Sequence, residues 1–215
     1  FMHNIYAMGG TVKSVSQLAN TLAQKGHPVT IISVFRGADS PYFKLHRDIN
    51  VKILIDYRFK PQNLTAILAN RVRAYTPLLK PKTISQHEPG LSQFSSYVEK
   101  KIIKAMKHVK SDVLIGTRAS FNILISKYAK KEITTVGMEH MNYDAHSTKY
   151  QQEMIASYRN LNKITTLTTA DQKKYQSLLK TPVYVVPNML TEKKIAAPKK
   201  NLSLIHISEP TRQAE

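Results

Sequence analysis

The chain has 215 residues, 42% hydrophobic and 21% charged, which is enough apolar content for an α/β domain with a real core and too much for a disordered chain. Its 32 lysines and arginines outnumber 14 acids, and the net charge of +18 points to a polyanionic partner such as an anionic membrane, an anionic polymer, a nucleotide or nucleic acid. The lack of cysteine excludes disulfides and thiolate metal sites and suits a cytoplasmic location, and no apolar run reaches membrane-spanning length.

The chain opens on Phe1 rather than a methionine, so a start further upstream is expected, and Phe1 to Tyr6 reads as the end of a first strand. Gly9 and Gly10 then precede a helix whose Val12, Val15, Leu18, Ala19, Leu22 and Ala23 share one face. Gly26 is placed to end it in a left-handed conformation, and Pro28 cannot continue it. Val29–Phe35 is a β-branched apolar run, as expected of a strand covered on both faces. Val51–Ile55 reads as a further strand. A helix is expected from about Gln62 to Leu79, with Leu64, Ile67, Leu68, Val72 and Tyr75 on one face, and Pro77 bending or ending it. Residues 80–92 read as a loop. A helix over Ser92–His108 follows, with Tyr97, Ile102, Ile103 and Met106 inward.

From Asp112 onward strands and helices alternate. Strands are expected at Val113–Ile115, Ile133–Val136, Lys163–Leu167 and Val183–Val186. Helices are expected at Ser120–Ala129, Ser147–Leu161 and Asp171–Leu179, the last opened by a Thr169–Gln172 capping box. This rhythm predicts a Rossmann-like parallel sheet with helices on both faces. In such sheets ligands bind beyond the carboxyl ends of the strands. The polar groups expected there are Gly9, Gly10 and Thr11, then Thr117 and Arg118, then Glu139 and His140, and finally Asn188. The glycines would leave bare N–H groups at the positive end of a helix dipole, a ready site for phosphate or a sugar oxygen.

Other chemistries fit less well. His140, Asp144 and His146 do not share a helix face, so no metal site is expected. Asp112 precedes its strand and Glu139 follows one, so they lie at opposite edges and form no hydrolytic pair. Gly9–Gly10 lacks the Gly-x-Gly-x-x-Gly spacing of a dinucleotide-dependent oxidoreductase. The basic residues are spread through helices without interleaved aromatics, which argues against nucleic acid as partner.

As a combination, Gly9, Gly10, Leu18, Ala19, Leu22, Gly26, His27 and Val29 resemble the N-terminal signature of the family 4 glycosyltransferases. The Val-Tyr-Val-Val-Pro-Asn run ending at Asn188 resembles the segment that closes the N-terminal domain in that family. The resemblance implies the acceptor-side half, residues 1–190, of a two-domain GT-B enzyme, with 191–201 starting a linker to a second domain. It implies a retaining transferase needing no cofactor or metal, which uses a nucleotide-diphosphate sugar donor and an anionic acceptor: a lipid-linked glycan or a teichoic-acid-like cell-envelope polymer. His140 takes the place of the family's histidine that reaches the donor sugar. A sugar-nucleotide epimerase of the same architecture, or a basic nucleic-acid-binding protein, stays open as an alternative. Leu202–Arg212 matches the translation of a sequencing-library adapter, so 202–215 is expected to be read-through. The excess of basic residues lies before that tail. Arg58, Lys60, Arg71, Arg73, Lys80 and Lys82 are expected on one face, in peripheral contact with the inner face of an anionic membrane.

Overall fold

A computed structural model describes residues 1–58, 61–72, 76 and 79–189. Lys60, Arg73, Tyr75, Pro77, the linker at 191–201 and the tail at 202–215 lie outside the described residues. The strands are β1 (Met2–His3), β2 (Thr30–Arg36), β3 (Asn50–Asp56), β4 (Val113–Gly116), β5 (Thr134–Met138), β6 (Lys163–Thr166) and β7 (Val183–Val185). The helices are α1 (Gly10–Gln24), α2 (Leu64–Val72), α3 (Ser96–Lys107), α4 (Ala119–Tyr128), α5 (Thr148–Tyr158) and α6 (Thr169–Leu178). All seven strands run parallel in the order β3-β2-β1-β4-β5-β6-β7. This is the Rossmann-like α/β sheet that the alternation of elements predicts. The strand order reverses between β1 and β4, which opens a crevice at their carboxyl ends.

Both faces of the sheet are covered. Along β2, Ile31 packs with Val12, Ala19 and Ala23 of α1, whereas Ile32 and Val34 join the larger cluster that includes residues of α3, α4 and α5. A strand buried on both faces has no polar side to show, which is why Val29–Phe35 carries so few polar residues. Helix α1 ends as its sequence predicts. Gly26 has φ +84°, its N–H bonds to Ala23 O, and His27 N–H bonds to Leu22 O. That pair of bonds satisfies carbonyls the helix would otherwise leave bare.

One local expectation is corrected. The cap of α6 is Thr168, one residue earlier than expected; its hydroxyl accepts from Asp171 N–H and donates to Asp171 Oδ2. Two adjacent threonines offered the same hydroxyl, and the aspartate three residues on selects the first. Helix α2 carries its apolar residues on one face as expected, and among its described residues Leu64, Leu68 and Val72 are exposed and Ile67 is half-buried.

The loop before α3 is held more firmly than its prolines suggest. Glu99, buried in the first turn of α3, accepts the backbone N–H groups of Lys82, Thr83 and Ile84. This anchors residues 82–84 against the helix and fixes the path of the chain that carries Glu88.

Candidate functional site at the carboxyl edge

Helices that begin at this edge differ in how their first N–H groups are used. Ser95, Ser147 and Thr168 each accept a backbone N–H at the start of α3, α5 and α6. The two helices flanking the strand-order reversal, α1 and α4, start at Gly9 and Arg118 with no side-chain cap. Gly9 has φ 174°, an extended conformation open to any residue. A Cβ built on Gly10 meets nothing within 4 Å, and one on Gly9 meets only Val12 at ordinary contact distance. Nothing among the described residues therefore requires glycine at either position. Thr11 is half-buried in the same first turn.

Behind that turn lies the end of β1. The Thr117 hydroxyl donates to Met2 O at 2.9 Å, so its single proton is committed. His3 Nδ1, 2.5 Å from Thr117 Oγ1, must then be the donor of that pair, which leaves Nε2 as an acceptor. Burial, with the like charges of His140 and Arg118, lowers the imidazole to a pKa of about 3 and keeps it neutral. His3 Nε2 is buried without a hydrogen-bond partner among the described residues. Both ring nitrogens of His140 share that condition, and burial lowers the pKa of this histidine as well.

Arg118 is less available than expected. Its Nε and Nη2 donate to Glu88 Oε1 at 3.0 and 2.5 Å, Nη1 reaches Gln93 Oε1, and the guanidinium lies over Phe94. Glu88 Oε2 accepts from Tyr150 Oη at 2.6 Å. Burial pushes the Glu88 carboxyl up, but the Arg118 charge and the hydrogen bonds outweigh it and hold the group below the usual range. A side chain on Gly90 would collide with Arg118, so that glycine makes room for the pair.

Glu139, expected to touch substrate, instead turns into the core and is 4% exposed. Its Oε1 accepts from Asn122 Nδ2 at 2.8 Å and from the Tyr158 hydroxyl. Its Oε2 faces His146 Nε2 at 4.0 Å. Burial raises the carboxyl to about 7 despite those hydrogen bonds. Burial also lowers the pKa of His146 and raises Tyr158 well above the ordinary phenol. Asp144 points elsewhere and pairs with Lys174 at 3.2 Å, so His140, Asp144 and His146 do not converge.

In the chain Gly9, Gly10 and Thr11 follow β1, Thr117 and Arg118 follow its neighbour β4, and His140 follows β5, the next strand of the sheet. Exposed Met8 and Met141 belong to the same loops. Asn188 is exposed just past β7, two strands from β5. His3, Glu88, Asn122 and Tyr158 went unmarked in the sequence. Only Asn122 gave a signal there, as a lone amide within the apolar run Phe121-Asn-Ile-Leu-Ile125.

Arranged this way, the edge offers buried imidazoles whose pKa is lowered and two helix N-termini without a side-chain cap, which suit hydroxyls and phosphate oxygens. No protein-family model matches the chain. An exopolysaccharide phosphotransferase of Streptomyces coelicolor is 25% identical to it over 140 residues, which is 62% of this chain and 14% of that protein. The chain therefore spans about one seventh of that relative's length. Together with the parallel sheet, this makes the chain similar to part of a transferase.

Proposed function

We propose that this chain is the acceptor-side domain of a family 4 glycosyltransferase of GT-B architecture. It would move a sugar, with retention, from a nucleotide-diphosphate donor to a lipid-linked or teichoic-acid-like cell-envelope glycan. The observation that carries the reading is the uncapped, open N-terminus of α1 at Gly9–Gly10, on the same sheet edge as the neutral His140. Backbone N–H groups there can approach an acceptor oxygen or a phosphate without a side chain in the way. His140 can donate one ring proton to a sugar hydroxyl and steady charge as it builds near the anomeric carbon. His3 Nε2 offers an acceptor behind it, and the half-buried Thr11 and exposed Asn188 stand as further polar groups at the strand ends.

The name of the Streptomyces relative favours a second reading, transfer of a sugar phosphate. The two reactions leave different products. Sugar transfer makes a glycosidic bond and releases a nucleoside diphosphate. Sugar-phosphate transfer makes a phosphodiester and releases a nucleoside monophosphate. Full-length protein, a nucleotide-sugar donor and cell-envelope acceptor should yield the diphosphate, with turnover falling at least tenfold in His140→Ala and donor affinity less affected. Release of the monophosphate would replace the proposal with the second reading. Unchanged turnover in His140→Ala would remove the histidine from the mechanism.

A further inference from the structure

His3 ends β1, the strand at which the sheet order reverses, with β2 on one side and β4 on the other. Three groups there form a hydrogen-bond chain of fixed direction. Met2 O can only accept, so Thr117 Oγ1 donates to it. The hydroxyl has then spent its proton, and His3 Nδ1 must donate to Thr117. A neutral imidazole that donates through Nδ1 keeps a bare lone pair on Nε2. Burial holds the ring neutral, with its pKa down at about 3, and the charges of His140 and Arg118 also reach it. His3 is 7% exposed, and its Nε2 has no hydrogen-bond partner among the described residues. A buried acceptor left empty costs about 1–3 kcal/mol, and such groups are rare in folded proteins.

The lone pair sets what can occupy it. A hydroxyl can donate its proton there, whereas a fully ionised oxygen has no proton to give and would set negative charge against it. The uncapped N-terminus of α1, which follows β1 in the chain, has the opposite preference, because its N–H groups favour negative oxygen. We infer that His3 is a specificity-determining residue of this edge: its Nε2 accepts a hydrogen bond from an acceptor hydroxyl, and Thr117 positions it by holding the proton on Nδ1. An imidazole this hard to protonate orients the hydroxyl and is not its general base. The inference rests on the reading of this edge as an acceptor site, and it holds whether a sugar or a sugar phosphate is transferred.

Two substitutions separate the two ring nitrogens. Asparagine can reproduce the Nδ1 contact with Thr117 but has nothing at the Nε2 position. Glutamine reaches the Nε2 position with its amide oxygen and gives up the Thr117 contact. In the full-length protein with a polyglycerol-phosphate acceptor, His3→Asn should keep its melting temperature yet raise the acceptor KM about tenfold, with the donor KM changing less than about twofold. His3→Gln should bring the acceptor KM back to within about threefold of wild type. A merely structural role predicts the reverse order, with the glutamine variant the worse of the two. Wild-type acceptor KM in His3→Asn would overturn the inference and leave the transferase reading standing. Nitrogen-detected NMR of the histidine-labelled chain gives a readout that needs no transfer. Glycerol should move the His3 Nε2 resonance upfield, and sulfate, which carries no proton, should leave it in place. No shift with glycerol, an equal shift with sulfate, or an Nε2 already hydrogen-bonded to a resident water before either is added would each overturn the inference. A glycerol shift in the chain with no transfer by the full-length protein would keep the hydroxyl site and remove only the transferase reading.

Discussion

Asn122 and Glu139 meet inside the core, where Asn122 Nδ2 donates to Glu139 Oε1 at 2.8 Å. Asn122 reaches that point through a notch in the sheet. A Cβ on Gly116 of β4 would collide with Asn122 Oδ1, and one on Gly137 of β5 would crowd Leu161 and the same amide. Two neighbouring strands thus omit side chains where α4 presents its one wholly buried amide. The network beneath His140 is therefore built by packing as much as by hydrogen bonding. Asn122→Ala should cost about 1–3 kcal/mol, because Glu139 loses a buried donor. Urea denaturation would measure it, and a variant as stable as wild type would mean that Tyr158 alone suffices.

Glu139 should make stability depend on pH in an unusual direction. Its carboxyl rises from 4.5 to about 7 on folding. Between those values the unfolded chain ionises while the fold keeps its proton, so the stability this group contributes is full below pH 4.5 and lost as pH rises through about 7. His3 works oppositely. Its pKa falls from 6.5 to about 3, so stability is lost as pH drops through that window. Glu139→Gln removes only the first effect. Relative to this variant, wild type should be more stable at pH 5 than at pH 8, compared at each pH by urea midpoint. An equal difference at both values would show that the carboxyl does not titrate in this range.

The pairing of His3 with Thr117 fixes a tautomer that can be observed. Nitrogen-detected NMR should find the proton on Nδ1 at pH 7, with no titration down to pH 5, because burial holds the ring neutral. Thr117→Val should strand that N–H and cost roughly 1–3 kcal/mol. An Nε2–H tautomer in wild type would contradict the hydrogen-bond assignment.

Much of this fold is legible in the sequence because its signals are periodic. The apolar run of β2, the Gly26 stop of α1 and the strand–helix alternation after Asp112 each follow from local chemistry that tertiary context did not oppose. What escaped reading depended on distant partners. The spacing of Leu64, Leu68 and Val72 shows that a helix has an apolar stripe, yet says nothing of whether the domain covers it. Glu139 sits at a strand end, where a residue can face the crevice or the core; Asn122 and Tyr158, 17 and 19 residues away, draw it inward. Glu88 comes from a loop whose path is set by Glu99, and Arg118 is claimed by it across 30 residues. Such contacts have no local pattern to betray them.

The glycines provide a last test, since the structure divides them into two kinds. Gly116 and Gly137 are demanded by neighbours inside the chain. A methyl group at either must displace Asn122 or Leu161 within a packed interior, and overpacking of that kind costs about 1–3 kcal/mol. Gly116→Ala and Gly137→Ala should therefore lower the melting temperature and weaken the Asn122–Glu139 contact. Gly10 has open space before it and helical backbone, so Gly10→Ala should leave stability unchanged or raise it by up to about 1 kcal/mol. Its cost should appear only when ligand must approach the α1 N-terminus. In the full-length protein, Gly10→Val should keep its melting temperature yet lose at least tenfold in kcat/KM for transfer, which corresponds to about 1.4 kcal/mol of lost binding in the transition state. Normal kinetics in Gly10→Val would show that nothing passes close to this turn, and the site would have to be sought nearer His140 and His3 alone.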